Sequence, residues 1–480
     1  EELKEVTGID FTLRADPISF GDLRVFMPSL HPDRSAVVTL RATGTSRLMD
    51  VDADAEFSDG STARFTGSVS PATGGPVNYM GEAEIRSMNP SFFTGPDAPA
   101  STLINGNVSL DLAGTQLESL DGSVSVDVFG SRVAGFFLED LTATANFSAG
   151  EAGINARAAW NGSTITADGT ILPFEEIPTY VLSGRTSNFN IGSISESEQR
   201  SSINATFRLE GSGFDPAVAD VSADVRLSSS TINNLQIEDG RMDLRLADGD
   251  MSFGMRFLFP DGLLVANGRA EIEDPLQFVV ERGRFENVDL AALLGQDQAS
   301  SLNGRFELEG TGTDPQEMNL EASLTMAPST FGHLQLDEGS VTLDLENGRL
   351  AINALAQFEE AGRFNFAAYT RPFDEMPTFH VTRGEFTNVN VGALVNQPDQ
   401  DTDLSGTATF TSRGFDPETM VLNGRFQLAG SRFNEQQINA ATAAVDLRAG
   451  LLSFDVGVDI PEGDLQLAGS ARPFLEVPTY

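Results

Sequence analysis

The sequence predicts an all-β protein: a long antiparallel, twisted and curved sheet forming an open groove, built from repeats of about 100 residues with short helical turns between them. Three observations predict it. The same landmarks recur at steps of 99 to 102 residues. Apolar and polar residues alternate strictly between those landmarks, as in LSFDVGVDI (452–460). Turn-forming clusters such as FDP, EDG, ADGD and FPDG punctuate the alternation at strand length.

The repeat stands on independent landmarks that keep register. PFEEIPTY (173–180), PFDEMPTF (372–379) and PFLEVPTY (473–480) are near copies, and DPLQF (274–278) is a shortened one. LNGRFELEGTGTDP (302–315) matches INATFRLEGSGFDP (203–216) and LSGTATFTSRGFDP (404–417), with INGNVSLDLAGTQL (104–117) as a weaker copy. Ser131, Ser230, Ser329 and Ser431 step by 99, 99 and 102 residues, as do Gly150, Gly249, Gly348 and Gly450. NVDL (287–290) matches NVNV (388–391), NFNI (188–191) and, loosely, MNPS (88–91). The 480 residues read as one continuous array: a partial copy over 1–34, a short divergent one over 35–100, copies over 101–200, 201–300 and 301–400, and a partial copy over 401–480.

Within one copy the period of two predicts strands with one wet and one apolar face. For 203–302 the turn signals predict seven strands, near 203–210, 219–228, 230–238, 241–248, 250–259, 262–273 and 276–288. The serines open strands in this reading, and Gly150 and its equivalents close hairpins. Each octapeptide is a connection: its first Pro ends a strand because it cannot donate to the ladder, and its second precedes the next strand. Seven is odd, so each copy would end on the rim opposite its start. DLAALLGQ (289–296), with Asp289 as N-cap, is placed to return the chain, and NVGALVNQ (390–397) is its equivalent. Roughly 34 strands would span around 160 Å.

The alternation nominates the lining of the apolar face: Val124, Val126 and Val128; Phe207 and Leu209; Phe306 and Leu308; Val341, Leu343 and Leu345; Phe410; and Leu452, Phe454, Val456, Val458 and Ile460. Such a face has to be covered or curled inward. A transmembrane barrel wants girdles of Trp and Tyr, whereas the chain has 1 Trp and 4 Tyr beside 34 Phe. A β-solenoid repeats at about 20–30 residues. An array of β-sandwiches explains the period, and Phe207, Leu209, Phe306, Leu308 and Phe410 would serve equally as its core. It predicts linkers, yet the junctions near 192–202, 295–301 and 395–403 are short and polar. A continuous groove remains, whose trough suits an acyl chain at about 0.8 kcal/mol per buried CH₂.

The cadence lnG.f.l.G.g.dP, then alternating strands, then P.y.v.....NvdL..Ll, resembles the AsmA-like/TamB superfamily from about residue 100 to the end, and more weakly before it. The resemblance implies a long β-groove (a β-taco) spanning the periplasm and held in the inner membrane by a helix outside this sequence. It implies phospholipid as cargo between inner and outer membrane, or support of outer-membrane protein assembly. It further implies an outer-membrane barrel of the BamA/TamA type as a partner, met through regions outside 1–480. The alternative from the residues alone is a structural or adhesive array of β-sandwich domains at the cell surface.

No enzyme is expected. There is no Cys, no nucleophile elbow, no P-loop and no HExxH. The three His residues (His31, His333, His380) lie in unrelated contexts, and His333 and His380 read as strand-face or rim residues. DVDADAE (50–56) has Ala55 where a calcium loop needs Gly, and reads as a solvated acidic face. Catalytic residues, metal and cofactor are therefore expected to be none. No run of 18 apolar residues exists, and the chain opens with EELKEV rather than Met and stops inside a repeated motif, as a piece of a longer protein would. The net charge of −40 repels nucleic acid and anionic membrane, and 29 of the 30 basic residues are Arg. Such acidity suits high salt. The thermal unfolding midpoint, followed by circular dichroism, is expected to rise as KCl goes from about 0.1 M to about 1 M and the Debye length falls from about 10 Å to about 3 Å; a flat or falling midpoint would contradict this.

Overall fold

The computed structural model describes residues 8–24, 31–70, 76–94, 102–133, 136–192, 200–233, 235–289, 299–397, 399–414, 416 and 419–472. The chain divides into two units, 1–232 and 233–480. Both are antiparallel β-structure.

The first unit holds β1 (Gly8–Ser19), β2 (Ser35–Thr45), β3 (Leu48–Phe57), β4 (Thr62–Ser70), β5 (Asn78–Met88), β6 (Ile104–Ala113), β7 (Asp121–Val133), β8 (Phe136–Ser148), β9 (Glu151–Trp160), β10 (Ser163–Leu172), β11 (Thr179–Phe189), β12 (Ser201–Ser212) and β13 (Asp220–Ile232). Single-turn helices α1 (Phe20–Leu23) and α2 (Ser91–Thr94) follow β1 and β5. The second unit holds β14 (Leu235–Ala247), β15 (Asp250–Leu258), β16 (Leu263–Glu271), β17 (Gln277–Val288), β18 (Ser300–Thr311), β19 (Asn319–Met326), β20 (Ser329–Phe331), β21 (Leu334–Glu346), β22 (Arg349–Phe358), β23 (Gly362–Arg371), β24 (Thr378–Val389), α3 (Val391–Leu394), β25 (Thr402–Arg413), β26 (Val421–Phe433), β27 (Gln436–Arg448), β28 (Leu451–Ile460) and β29 (Gly463–Ala471).

Inside each unit the ladder follows chain order, each strand antiparallel to the next. The one variation is β19 and β20, which both pair with β18 and β21 and are one line broken at Ala327–Pro328. We call upper the rim to which β1, β3 and β5 run in the first unit, and β15, β17 and β24 in the second; the opposite rim is lower.

The strand count per copy corrects the sequence reading. Residues 201–288 form six strands, β12 to β17, not seven, and the described residues hold 29 strands where roughly 34 were expected from about 14 residues each. The expected strands 230–238 and 241–248 do not exist as such. Glu238, Asp239 and Gly240 lie inside β14, and the turn falls after Ile232. Ser131, Ser230 and Ser431 sit near the ends of β7, β13 and β26 rather than opening strands; Ser329 alone opens one. The physical reason is a β-bulge. Gly130 (φ 51°), Ser229 (φ 28°) and Gly430 (φ 57°) break the period of two just before the serine, so the alternation restarts there without the chain turning. An even count also removes any need for a crossing segment. β17 and β18 are antiparallel neighbours with Val288 opposite Leu302, and β24 and β25 repeat this with Val389 opposite Leu404. The chain leaves and re-enters at one rim. Of DLAALLGQ, residues 290–296 lie outside the described residues, as does PFLEVPTY.

Other expectations hold. Pro173 and Pro372 directly follow β10 and β23, and Pro178 and Pro377 directly precede β11 and β24. Gly150, Gly249, Gly348 and Gly450 have φ of 70–84° and follow Ala149, Asp248, Asn347 and Ala449, all near +50°. Two consecutive positive φ angles make two-residue type I′ hairpins, the form whose twist matches the flanking strands.

A second bulge lies at the upper end of β5, β11, β17 and β24, where register slips by one residue after Ile85, Thr186, Phe285 and Phe386. Ser87, Asn188, Asn287 and Asn388 carry its positive φ, 49–54°. This moves the weak MNPS match by one residue, since Ser87, not Met88, corresponds to Asn188. Between the two bulges stands one polar residue. Asn204 of β12 accepts from Asn188 N–H at 3.0 Å through Oδ1, donates from Nδ2 to Ser229 O at 2.9 Å, and donates its backbone N–H to buried Ser230 Oγ at 2.9 Å. Asn105 and Asn303 make the same three bonds. Ser405 makes two of them, to Asn388 N–H and Ser431 Oγ. Asn204→Ala removes both side-chain bonds and is expected to cost about 2 kcal/mol, read in urea unfolding. Asn204→Ser, by analogy with Ser405, should cost about half of that. Equal losses would show that the side-chain bonds are not what holds the bulges.

Candidate functional site

Direct ladder partners share a face, so register alone places every side chain. In the first unit one row runs across all thirteen strands: Leu13, Leu40, Ala53, Phe65, Ala83, Val108, Val126, Ala143, Ala156, Ala167, Gly184, Phe207 and Val225. It contains no polar side chain. In the second unit a row runs from Leu244 through Phe253, Gly268, Val280, Leu308, Ala322, Leu343, Ile352, Ala368, Val381, Phe410, Gly424, Val445 and Phe454 to Gly469, again with none. Val124, Val128 and Leu209 flank the first row on its face. Phe306, Val341, Leu345, Leu452, Val456, Val458 and Ile460 flank the second. All sixteen nominated residues thus lie on the apolar face of their unit. Leu345 is buried and the other fifteen are half-buried.

Little closes over these faces. Among the described residues the side chains most hidden from solvent are small ones, Ser61, Ser131, Ser163, Ser230, Ser431 and Ala361, at 0–1% exposure. The chain exposes 28506 Å², against about 17,000 Å² for a compact monomer of this mass.

The phenylalanines lie down. Phe207, Phe253, Phe278, Phe285, Phe306, Phe386 and Phe454 each stand directly opposite a glycine on the next strand: Gly184, Gly268, Gly310, Gly304, Gly283, Gly406 and Gly469. A Cβ on any of these glycines would run into the ring. The missing side chain gives the ring a seat flat against the neighbouring backbone, a known rescue of strand glycine. The sequence reading missed this pairing. Its signal was glycine at apolar positions of the alternation, as in LNGRF (302–306).

The upper rim is bridged in two places. Phe20 of α1 and Phe92 of α2 have centroids 5.7 Å apart, although β1 and β5 are four ladder steps apart, about 19 Å along a flat sheet. Phe57 and Phe93 complete the cluster over Ala36 and Val38, and His31 N–H donates to Phe93 O at 2.6 Å. In the second unit His333 Nε2 lies 2.8 Å from Ala393 O of α3, which likewise joins the end of β20 to the segment after β24, four steps on. His333 is thus a rim residue. His380 lies in β24 with its ring stacked on Tyr369 at 4.5 Å, on the polar face.

The other face is wet. The row Ser109, Ser125, Thr144, Asn155, Asp168, Ser183, Arg208 and Asp224 is polar throughout. Where its arginines form ion pairs, the acid is mostly two residues away on the same strand, as in Arg208–Glu210 (3.3 Å), Arg226–Asp224 (3.0 Å) and Arg241–Asp243 (2.8 Å). Such exposed pairs add little stability. Asp50, Asp52, Asp54 and Glu56 project from this face of β3, and Arg64 meets Asp54 at 3.5 Å. Arg432 at the upper rim holds the Asp401 carboxyl below its ordinary value through a hydrogen bond. No group of three or more His, Asp or Glu able to hold a metal occurs among the described residues. Nor is any helix among them long and apolar enough to cross a membrane. No protein-family model, no curated protein and no solved structure matches this chain.

The flat-ring arrangement is testable by a double-mutant cycle. Gly283→Ala would meet the Phe306 ring first, its three nearest atoms all belonging to that ring, and is expected to cost about 1–3 kcal/mol. In a Phe306→Ala background the same change should cost less than about 0.5 kcal/mol. Equal costs in both backgrounds would mean that the ring and the glycine are not coupled.

Proposed function

We propose that this chain is a segment of a bridge-like protein of the AsmA-like/TamB type, whose apolar faces carry phospholipid acyl chains through the periplasm between inner and outer membrane. The same surface would serve support of outer-membrane protein assembly, with a barrel of the BamA/TamA type met through other regions. The carrying observation is the apolar row that crosses every strand of each unit except the three-residue β20 without a polar side chain. A hydrocarbon chain taken from water onto such a surface gains about 0.8 kcal/mol per CH₂ buried. Taken from a bilayer core it gains almost nothing, so many similar positions in series would let it advance without a deep trap at any one.

Three features support an open trough. The exposed area exceeds that of a compact monomer. The rings seated on glycines leave the space above the face free. The bridges at the upper rim bring strands four steps apart toward each other, which curls the face inward. A sandwich array would need each apolar face closed by a second sheet at about 10 Å, and no such facing layer is needed to account for the burial observed. The resemblance in the repeat cadence points the same way.

Native mass spectrometry of the chain, with organic extraction of what co-purifies, tests this. Phospholipids are expected in several copies per chain, and fewer for Phe454→Asp/Val456→Asp. A lipid-free, folded, monodisperse chain would overturn the reading and return the sandwich array with a protein or glycan partner.

A further inference from the structure

At the lower rim of the first unit three large apolar side chains stand exposed. Phe214 and Val218 lie in the β12–β13 turn and Ile177 in the β10–β11 connection; they are 68%, 66% and 59% exposed. They are also fixed in place. The Phe214 ring stacks on Tyr180, centroids 5.5 Å apart and planes 6° apart, and the Tyr180 hydroxyl donates to Gly213 O at 3.1 Å. Val218 N–H donates to Asp215 O at 3.0 Å, and Ala217 N–H to Asp215 Oδ1 at 3.0 Å. Gly213 N–H donates to Pro178 O at 2.8 Å, tying the turn to the connection that carries Ile177.

An exposed aromatic held on a platform has already lost its conformational freedom on folding. Docking against it costs less ordering than docking against a mobile side chain. Rigid, exposed aromatics are the usual anchors of protein interfaces.

Charge selects the partner. The connections 173–178 and 213–220 contain Glu175, Glu176, Asp215 and Asp220 and no Arg, Lys or His. On the polar face of the same strands opens a concavity of about 350 Å³ across β10–β13, lined by Val181, Glu210, Asp220 and Ser222 among others and by no basic residue. Glu210 is already paired with Arg208, so the excess carboxylates are those of the loops. They repel an anionic bilayer and attract cations.

We propose that this edge docks a cationic, amphipathic segment of another protein, its apolar side chains against Ile177, Phe214 and Val218 and its Arg or Lys against the surrounding carboxylates. The site lies at the lower rim, beside the end of the apolar face that carries Tyr180, and does not depend on lipid carriage.

The probe is a fluorescein-labelled peptide, two repeats of Leu-Arg-Arg-Leu, titrated with the whole chain by anisotropy at about 50 mM salt. Saturable binding is expected. Phe214→Ser/Val218→Ser should weaken it about tenfold or more, with circular dichroism unchanged. Glu175→Gln/Glu176→Gln should weaken it and flatten its salt dependence. Glu359→Gln/Glu360→Gln, which removes two carboxylates from the upper rim of the other unit, should leave it unchanged, as should Phe454→Asp/Val456→Asp in the trough. The same affinity in Phe214→Ser/Val218→Ser would overturn the proposal, since the peptide would then be responding to net charge alone. Weakening by the trough variant would assign the peptide to the apolar face instead. Absence of binding, or capture of phosphatidylcholine vesicles through Phe214 in place of the peptide, would also overturn it.

Discussion

Everything distinctive in this sheet depends on satisfying backbone groups at its bulges. A bulge leaves an extra residue unpaired, and stranded N–H and C=O groups are costly. Here two bulges flank a common central strand, and the side chain at position 105, 204, 303 or 405 reaches one or both of them. An amide serves well because it donates and accepts at once. The serine hydroxyl behind it, almost without solvent contact, receives the central strand's own N–H. Bulges bend strands and increase their twist. The sheet therefore takes its local bends where these residues fix them.

The apolar face follows a different logic from a packed core. A core interdigitates side chains from facing layers, whereas here large rings are laid along the sheet and the residues between them are small, with runs such as Ala143, Ala156 and Ala167. The result is an apolar surface of low relief. The wet face needs little beyond hydration, and its paired arginines serve mainly to moderate an acidic surface.

Much of this was legible in the sequence, for reasons of periodicity. A period of two survives any tertiary context that wets one face, so the strands, their faces and all sixteen apolar positions could be read directly. The turn glycines, Gly150 and its equivalents, and the proline-bounded connections were legible because glycine admits the positive φ a tight turn needs and proline fixes φ at about −65°. The strand count was not. A bulge interrupts alternation as a turn does, and Asp239–Gly240 carries turn chemistry while lying in mid-strand. The bridges at the upper rim were also hidden, since His333 and Ala393 are 60 residues apart and no local pattern joins them. Nor does a lone Phe214 in a turn announce that Tyr180, 34 positions earlier, holds it still.

The even number of strands per copy bears on how such a protein can change length. Duplicating or deleting one copy in frame adds or removes six ladder steps, about 29 Å, and returns the chain to the same rim pointing the same way. Every later segment keeps its rim and its face. Had the copy held seven strands, each duplication would have inverted all that follows, exchanging the bridged rim for the acidic one. Length is thus a quantity that unequal recombination can adjust in uniform increments.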